Sequence, residues 1–198
     1  MAENAGAAVT VSPDIFLNAV LEAKESIIPI GTPITITESD IGKTHEVTIT
    51  GAQVVDNLEY ADIDSEFIAE CFLEDAKSPP NGQKLLVIDV QIKKISQGKP
   101  NEYTSDSEQL GDFSLSNWFI IGLKNETLNS EMIGFVQPEI SRMPESKQLY
   151  FANIPNEGES IDCKLVYFVA SSFDCKNAMF IQYDGKDAIL AALADSEE

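Results

Sequence analysis

The sequence predicts a mainly β protein, an antiparallel β-sandwich led by one amphipathic helix. Three observations predict it. Gly82 opens a long strand that changes character midway: Leu85–Ile88 is continuously apolar, as in a strand covered on both faces. From Asp89 the strand alternates, with Val90, Ile92 and Ile95 assigned to one face and Asp89, Gln91 and Lys93 to the other. Eight or nine short segments rich in β-branched and apolar residues recur between turn signals, and helical spacing is confined to two stretches.

The elements follow in order. Residues 1 to 11 show no periodicity and read as a flexible lead. Ser12-Pro13-Asp14 is a helix start: Ser12 caps, Pro13 suits the first helical position, and Asp14 complements the positive dipole end. Ile15, Phe16, Ala19, Val20, Ala23 and Ile27 form one apolar stripe, which the proline at 29 terminates. Residues 1–29 are thus a lead and helix, and residues 30–194 the sandwich. The stripe of residues 13–28 packs back on the sandwich or on a second copy. A membrane-surface role is disfavoured, since the helix carries one basic residue, Lys24.

Strands are expected at Pro33–Thr37, at Glu46–Thr50 and in continuation over Gln53–Leu58 after Gly51. Asp56–Asp75 is an acidic stretch interleaved with Tyr60, Phe67, Ile68, Phe72 and Leu73, a short helix or ordered loop that Pro79-Pro80-Asn81-Gly82 ends. Beyond the central strand lies a polar loop up to Gly111. Further strands are expected within Asp112–Leu123, Glu131–Gln137, Gln148–Ile154, Ser160–Ala170 and Ala178–Tyr183. Asp187–Ala194 is an apolar tail, strand or short helix.

The bulk composition is that of an ordinary globular protein of 198 residues, 43% hydrophobic and 23% charged. Net charge is the outlier: 33 acidic against 13 basic residues leave −20. Such a surface repels phosphate backbones and anionic headgroups, so nucleic acid and lipid surfaces are poor partners. Solubility alone is the plainer reading of the same charge. No stretch reaches the ~20 apolar residues of a membrane span. The first residues lack the basic start and apolar core of an export signal, which leaves a cytoplasmic protein or a mature fragment with an added Met.

Four segments, taken in order, carry a resemblance. They are Val47-Thr48-Ile49-Thr50-Gly51-Ala52-Gln53-Val54-Val55-Asp56, Gly82 to Lys94, Asp112-Phe113-Ser114-Leu115, and Gly158-Glu159-Ser160 leading into Lys164-Leu165-Val166-Tyr167-Phe168. Together they resemble the immunoglobulin-like domain of unknown function found in secreted proteins and lipoproteins of Gram-positive bacteria, whose fold is shared with a secreted mycobacterial immunoprotective antigen. The resemblance spans about residues 31 to 185. It implies an immunoglobulin-like sandwich in an extracellular or cell-envelope setting, with no established enzymatic activity and no catalytic residue to carry over. This chain departs from the pattern in its longer acidic insertion, its N-terminal helix and its lack of a lipidated cysteine.

The residues offer little for catalysis. The only histidine, His45, stands at a strand start, where exposure is expected, and any serine or cysteine nucleophile would need it as base. No glycine-rich phosphate cradle is present. Asp62, Asp64 and Glu66 stand at alternate positions and point to one side of an extended loop, as a calcium site requires; the turn glycine and closing glutamate of a calcium-binding helix-loop-helix are missing, and a solvated acidic loop is the other reading. The three cysteines include no Cys-x-x-Cys; Cys163 and Cys175 lie in or beside neighbouring strands, so a disulfide between them stands beside free, half-buried thiols. Trp118 reads as core, or, if exposed, as an aromatic platform joined by Tyr60, Tyr103 and Tyr150 from nearby loops. The function expected is non-catalytic recognition of a protein or glycan. Its rival is an assembly module that self-associates through residues 13–28.

Overall fold

The computed structural model describes residues 26–38, 42–57, 79, 82–99, 112–114, 118–122, 131–136, 151–154, 156–183 and 188–194. Among the described residues ten strands are present: β1 (Ile34–Glu38), β2 (Lys43–Val55), β3 (Lys84–Ser96), β4 (Asp112–Ser114), β5 (Trp118–Gly122), β6 (Glu131–Val136), β7 (Phe151–Asn153), β8 (Ser160–Val169), β9 (Ala178–Tyr183) and β10 (Ala188–Ala192). A 3₁₀ turn, Cys175–Asn177, leads into β9. The apolar tail is therefore a strand.

Every named strand pairing is antiparallel. One sheet has the order β1-β2-β3-β8-β6, a second β10-β9-β5, and β4 pairs with β7 as a short ribbon. The two larger sheets share a single core. Ile34, Val47, Ile49, Leu86, Ile88, Val90, Ile92, Cys163, Leu165 and Tyr167 on the first sheet pack with Trp118, Ile120, Phe180 and Ala191 on the second. Trp118 stacks on Phe180 with centroids 4.6 Å apart, and Tyr167 meets the same ring edge-on. This is an antiparallel β-sandwich, and Trp118 belongs to its core.

Tyr167 is fully enclosed, and its hydroxyl finds no hydrogen-bond partner among the described residues. A buried unpaired hydroxyl costs about 1–3 kcal/mol. Tyr167→Phe keeps the ring contact with Phe180 and removes that cost. Chemical denaturation is expected to show a gain of about 1 kcal/mol; a loss of stability would mean the hydroxyl has a partner.

Glu46–Thr50 and the extension after Gly51 turn out to be one 13-residue strand. Its register against β3 slips between Ile49 and Gly51, a bulge that seats Gly51 opposite Asp89. A Cβ at Gly51 would approach the Asp89 carboxylate to 3.2 Å, so the bulge favours a residue without one.

The first stretch of chain joins both sheets. Ile28 pairs in parallel with Ala191: its N–H donates to Leu190 O, and its carbonyl accepts from Ala192 N–H. Three residues on, Gly31 N–H donates to Ile49 O, and β1 then lies along β2. This corrects the C-terminal end expected for the helix. Pro29 holds the residue before it in an extended conformation, and the β10 edge takes up the backbone groups of Ile28. Ile27, assigned to the apolar stripe, is exposed. The rest of the expected helix, residues 13–25, lies outside the described residues.

Candidate functional site

The outward face of the five-stranded sheet has two unlike halves, and the register gives their composition rung by rung. In the first half, Thr37 stands beside Thr44, their hydroxyls 3.1 Å apart. The next rung is Thr35–Glu46–Lys93–Ser160, and the one after it Thr48–Gln91–Asp162. Within that rung the Gln91 amide donates to the Asp162 carboxylate at 2.9 Å. All these side chains are exposed or half-exposed. Neighbouring strands lie ~4.8 Å apart and alternate residues ~6.7 Å apart, so hydroxyl, amide, carboxylate and ammonium groups form a regular donor and acceptor array.

The Asp89–Lys164 ion pair marks the boundary. Past it, and inside the exposed Gln53 of β2, the same face becomes apolar: Val87 pairs with Val166, and Leu85 lies between Val55 and Phe168, all buried. None of these five belongs to the core between the sheets. The continuous run Leu85–Ile88 is therefore covered on both sides, as its composition predicts. The far half of the strand emerges into water, also as predicted.

The inward face of the same sheet ends in a basic cluster. His45 is 0% exposed, which overturns the expectation of an exposed strand start. Lys43 and Lys94 are buried with it, and His45 lies directly opposite Lys94 in the register. The physical reason is parity. Lys43 and His45 share a side with Val47 and Ile49, and Lys94 shares one with Val90 and Ile92. The assignment of Ile95 to the inner face is corrected with them, since it is 40% exposed on the outer side. Lys94 Nζ donates to the Ile154 carbonyl at 2.8 Å, and the Phe113 ring lies 4.6 Å from the imidazole. Both imidazole nitrogens lack a hydrogen-bond partner among the described residues. Burial, reinforced by the charges of Lys43 and Lys94, lowers the His45 pKa to about 4, so the ring is neutral at physiological pH.

Cys163 and Cys175 are free thiols, which decides between the two readings of this pair. Burial raises the Cys163 thiol far above its usual range, with Asp162 and Asp89 adding to the effect; it points at the Val90 carbonyl, 3.6 Å away. Burial also raises Cys175, to which Asp174 contributes. Neither is prepared as a nucleophile, since the thiolate is the reactive form. Asp62, Asp64 and Glu66 lie outside the described residues, as do Tyr60, Tyr103 and Tyr150. Among the described residues no group of three or more His, Cys, Asp or Glu side chains is arranged to hold a metal ion.

No protein-family model matches the chain, and no curated protein matches it. Two solved structures are similar to it. A secreted protein from Mycobacterium tuberculosis, MPT63, is 11% identical with a TM-score of 0.39, over 82% of this chain and 94% of that one. An uncharacterized β-sandwich protein from Clostridium difficile 630 is 11% identical with a TM-score of 0.42, over 85% of this chain and 95% of that one.

Proposed function

We propose that this chain is a non-catalytic interaction domain of the cell envelope or extracellular space that recognises a protein or glycan through the polar half of its five-stranded sheet. One observation carries the reading: a single sheet face changes, at the Asp89–Lys164 pair, from an enclosed apolar surface to an open array of hydroxyl, amide and charged groups. An open polar array offers many directional hydrogen bonds and little apolar area, a composition suited to a hydroxyl-rich or peptide partner. The immunoglobulin-like form of the sandwich is part of the proposal, supported by the order of the four resembling segments and by a first strand divided between the sheets at Ile28 and β1. The extracellular setting rests on that same resemblance.

The test is a binding titration against immobilised bacterial cell-wall glycans and surface proteins, comparing the wild type with Thr48→Arg/Gln91→Arg. Both positions lie on one rung and point outward, so the fold should be retained, as circular dichroism will check. At least one immobilised partner is expected to bind the wild type and to lose about tenfold or more in affinity, about 1.4 kcal/mol, with the variant. No binding by the wild type, or equal binding by both, overturns the reading.

A further inference from the structure

The basic cluster on the inner face plays no part in the proposed recognition surface, yet it is costly to build. Lys43, His45 and Lys94 are enclosed at one end of the sandwich in a protein whose net charge is −20. Burying three basic groups together is unfavourable unless each is paired or neutral. Lys94 has the Ile154 carbonyl. The imidazole has the Phe113 ring tilted against it, centroids 4.6 Å apart, and no hydrogen bond from the described residues.

The surroundings decide what a proton there would meet. From β1, the residue opposite His45 is Ile36, and Glu38 stands opposite Lys43 in the register. From β2 and β3 come the two lysines. From β4 comes Phe113, preceded in the strand by Asp112. The turn after Ile154 carries Glu157 and Glu159, but their carboxylates accept from Gln97 N–H and the Asn156 amide. Among the described residues, the charges that act on the imidazole are those of Lys43 and Lys94.

That end of the sandwich is also where the chain closes on itself. Lys94 N–H donates to Glu159 O, and Gly158 N–H donates to Lys94 O. With the Lys94 ammonium on Ile154, these bonds tie the end of β3 to the segment leading into β8.

We propose that His45 makes this closure acid-sensitive: protonating its ring sets a third positive charge between Lys43 and Lys94 and loosens the end of β2 and β3 from Phe113, Ile154 and the Asn156–Glu159 turn. The direction follows from linkage. His45 in the fold takes its proton near pH 4, whereas the unfolded chain takes it near 6.5. The stabilisation is complete well above about 6.5 and is lost as pH falls towards about 4, where the histidine contribution to the folding equilibrium has dropped about 160-fold.

The chain contains a single histidine, so its ring proton gives one unambiguous resonance. An NMR titration of the wild type is expected to place its midpoint near pH 4; a midpoint near the ordinary 6.5 overturns the proposal. Denaturant unfolding of wild type and His45→Phe then separates this group from the many carboxylates that titrate in the same range. Between about pH 7.5 and about pH 4.5 the wild-type unfolding constant should rise about 70-fold more than that of the variant. Equal rises overturn the proposal. Lys43→Met keeps the histidine and removes one neighbouring charge, so its His45 midpoint should move up; an unmoved midpoint overturns the electrostatic origin, whether or not His45→Phe folds.

Discussion

Replacing Leu165 with alanine is expected to lower the unfolding free energy by about 2–5 kcal/mol, enough to unfold a large share of a marginally stable domain. Leu165 is wholly enclosed in β8, between Ile88 on β3 and Phe135 on β6 in the register, and belongs to the core that both sheets share. The truncation removes apolar contact and leaves a cavity whose walls are pleated strands, which relax little because their backbones are hydrogen-bonded on both sides. Chemical denaturation checks the value. A loss under about 1 kcal/mol would mean that the sheets do not press together at this point.

Val87→Asp is expected to be at least as severe, costing more than about 3 kcal/mol or preventing folding. Val87 faces away from the core between the sheets, yet it is 0% exposed and lies between Gln53 and Val166. A carboxylate there is buried beside Val166 and within two rungs of Phe168, with no cation in its own rung. Gln91→Ala provides the contrast. Gln91 lies on the same outward face, on the open side of the Asp89–Lys164 pair, and its amide donates to the exposed Asp162. Its loss should stay within about 0.5–1 kcal/mol. Thermal and denaturant melts of the two variants should diverge sharply. Similar values would show that the outward face has no enclosed half.

The same strand shows how far sequence reading reaches. Continuous apolarity over Leu85–Ile88 and alternation after Asp89 are local properties, and the structure reproduces both the two-sided burial and the emergence into water. The strand's far end was misread for a local reason too. Ile95 is assigned inward on its apolar character, whereas the two-residue repeat from Val90 and Ile92 turns Lys94 inward and Ile95 outward. His45 and Lys43 were missed by the same preference of chemistry over parity, although the alternation of Val47 and Ile49 extends back through both. Of the candidate site, the individual polar positions were legible and their assembly was not. Thr35, Glu46, Lys93 and Ser160 become one rung only through pairings across three strand boundaries.

By itself, the sequence determined that this chain is strand-built and where the central strands run. Those features follow from side-chain alternation and turn residues within a few positions of each other. Tertiary structure alone decided the rest: Ile28 as a bridge to the last strand instead of a helix end, two free thiols, and a histidine enclosed with two lysines. Each depends on a partner far along the chain, as Lys94 depends on a carbonyl 60 residues away. A local pattern specifies which way a side chain points, but the groups that await it there are set by how distant segments pack.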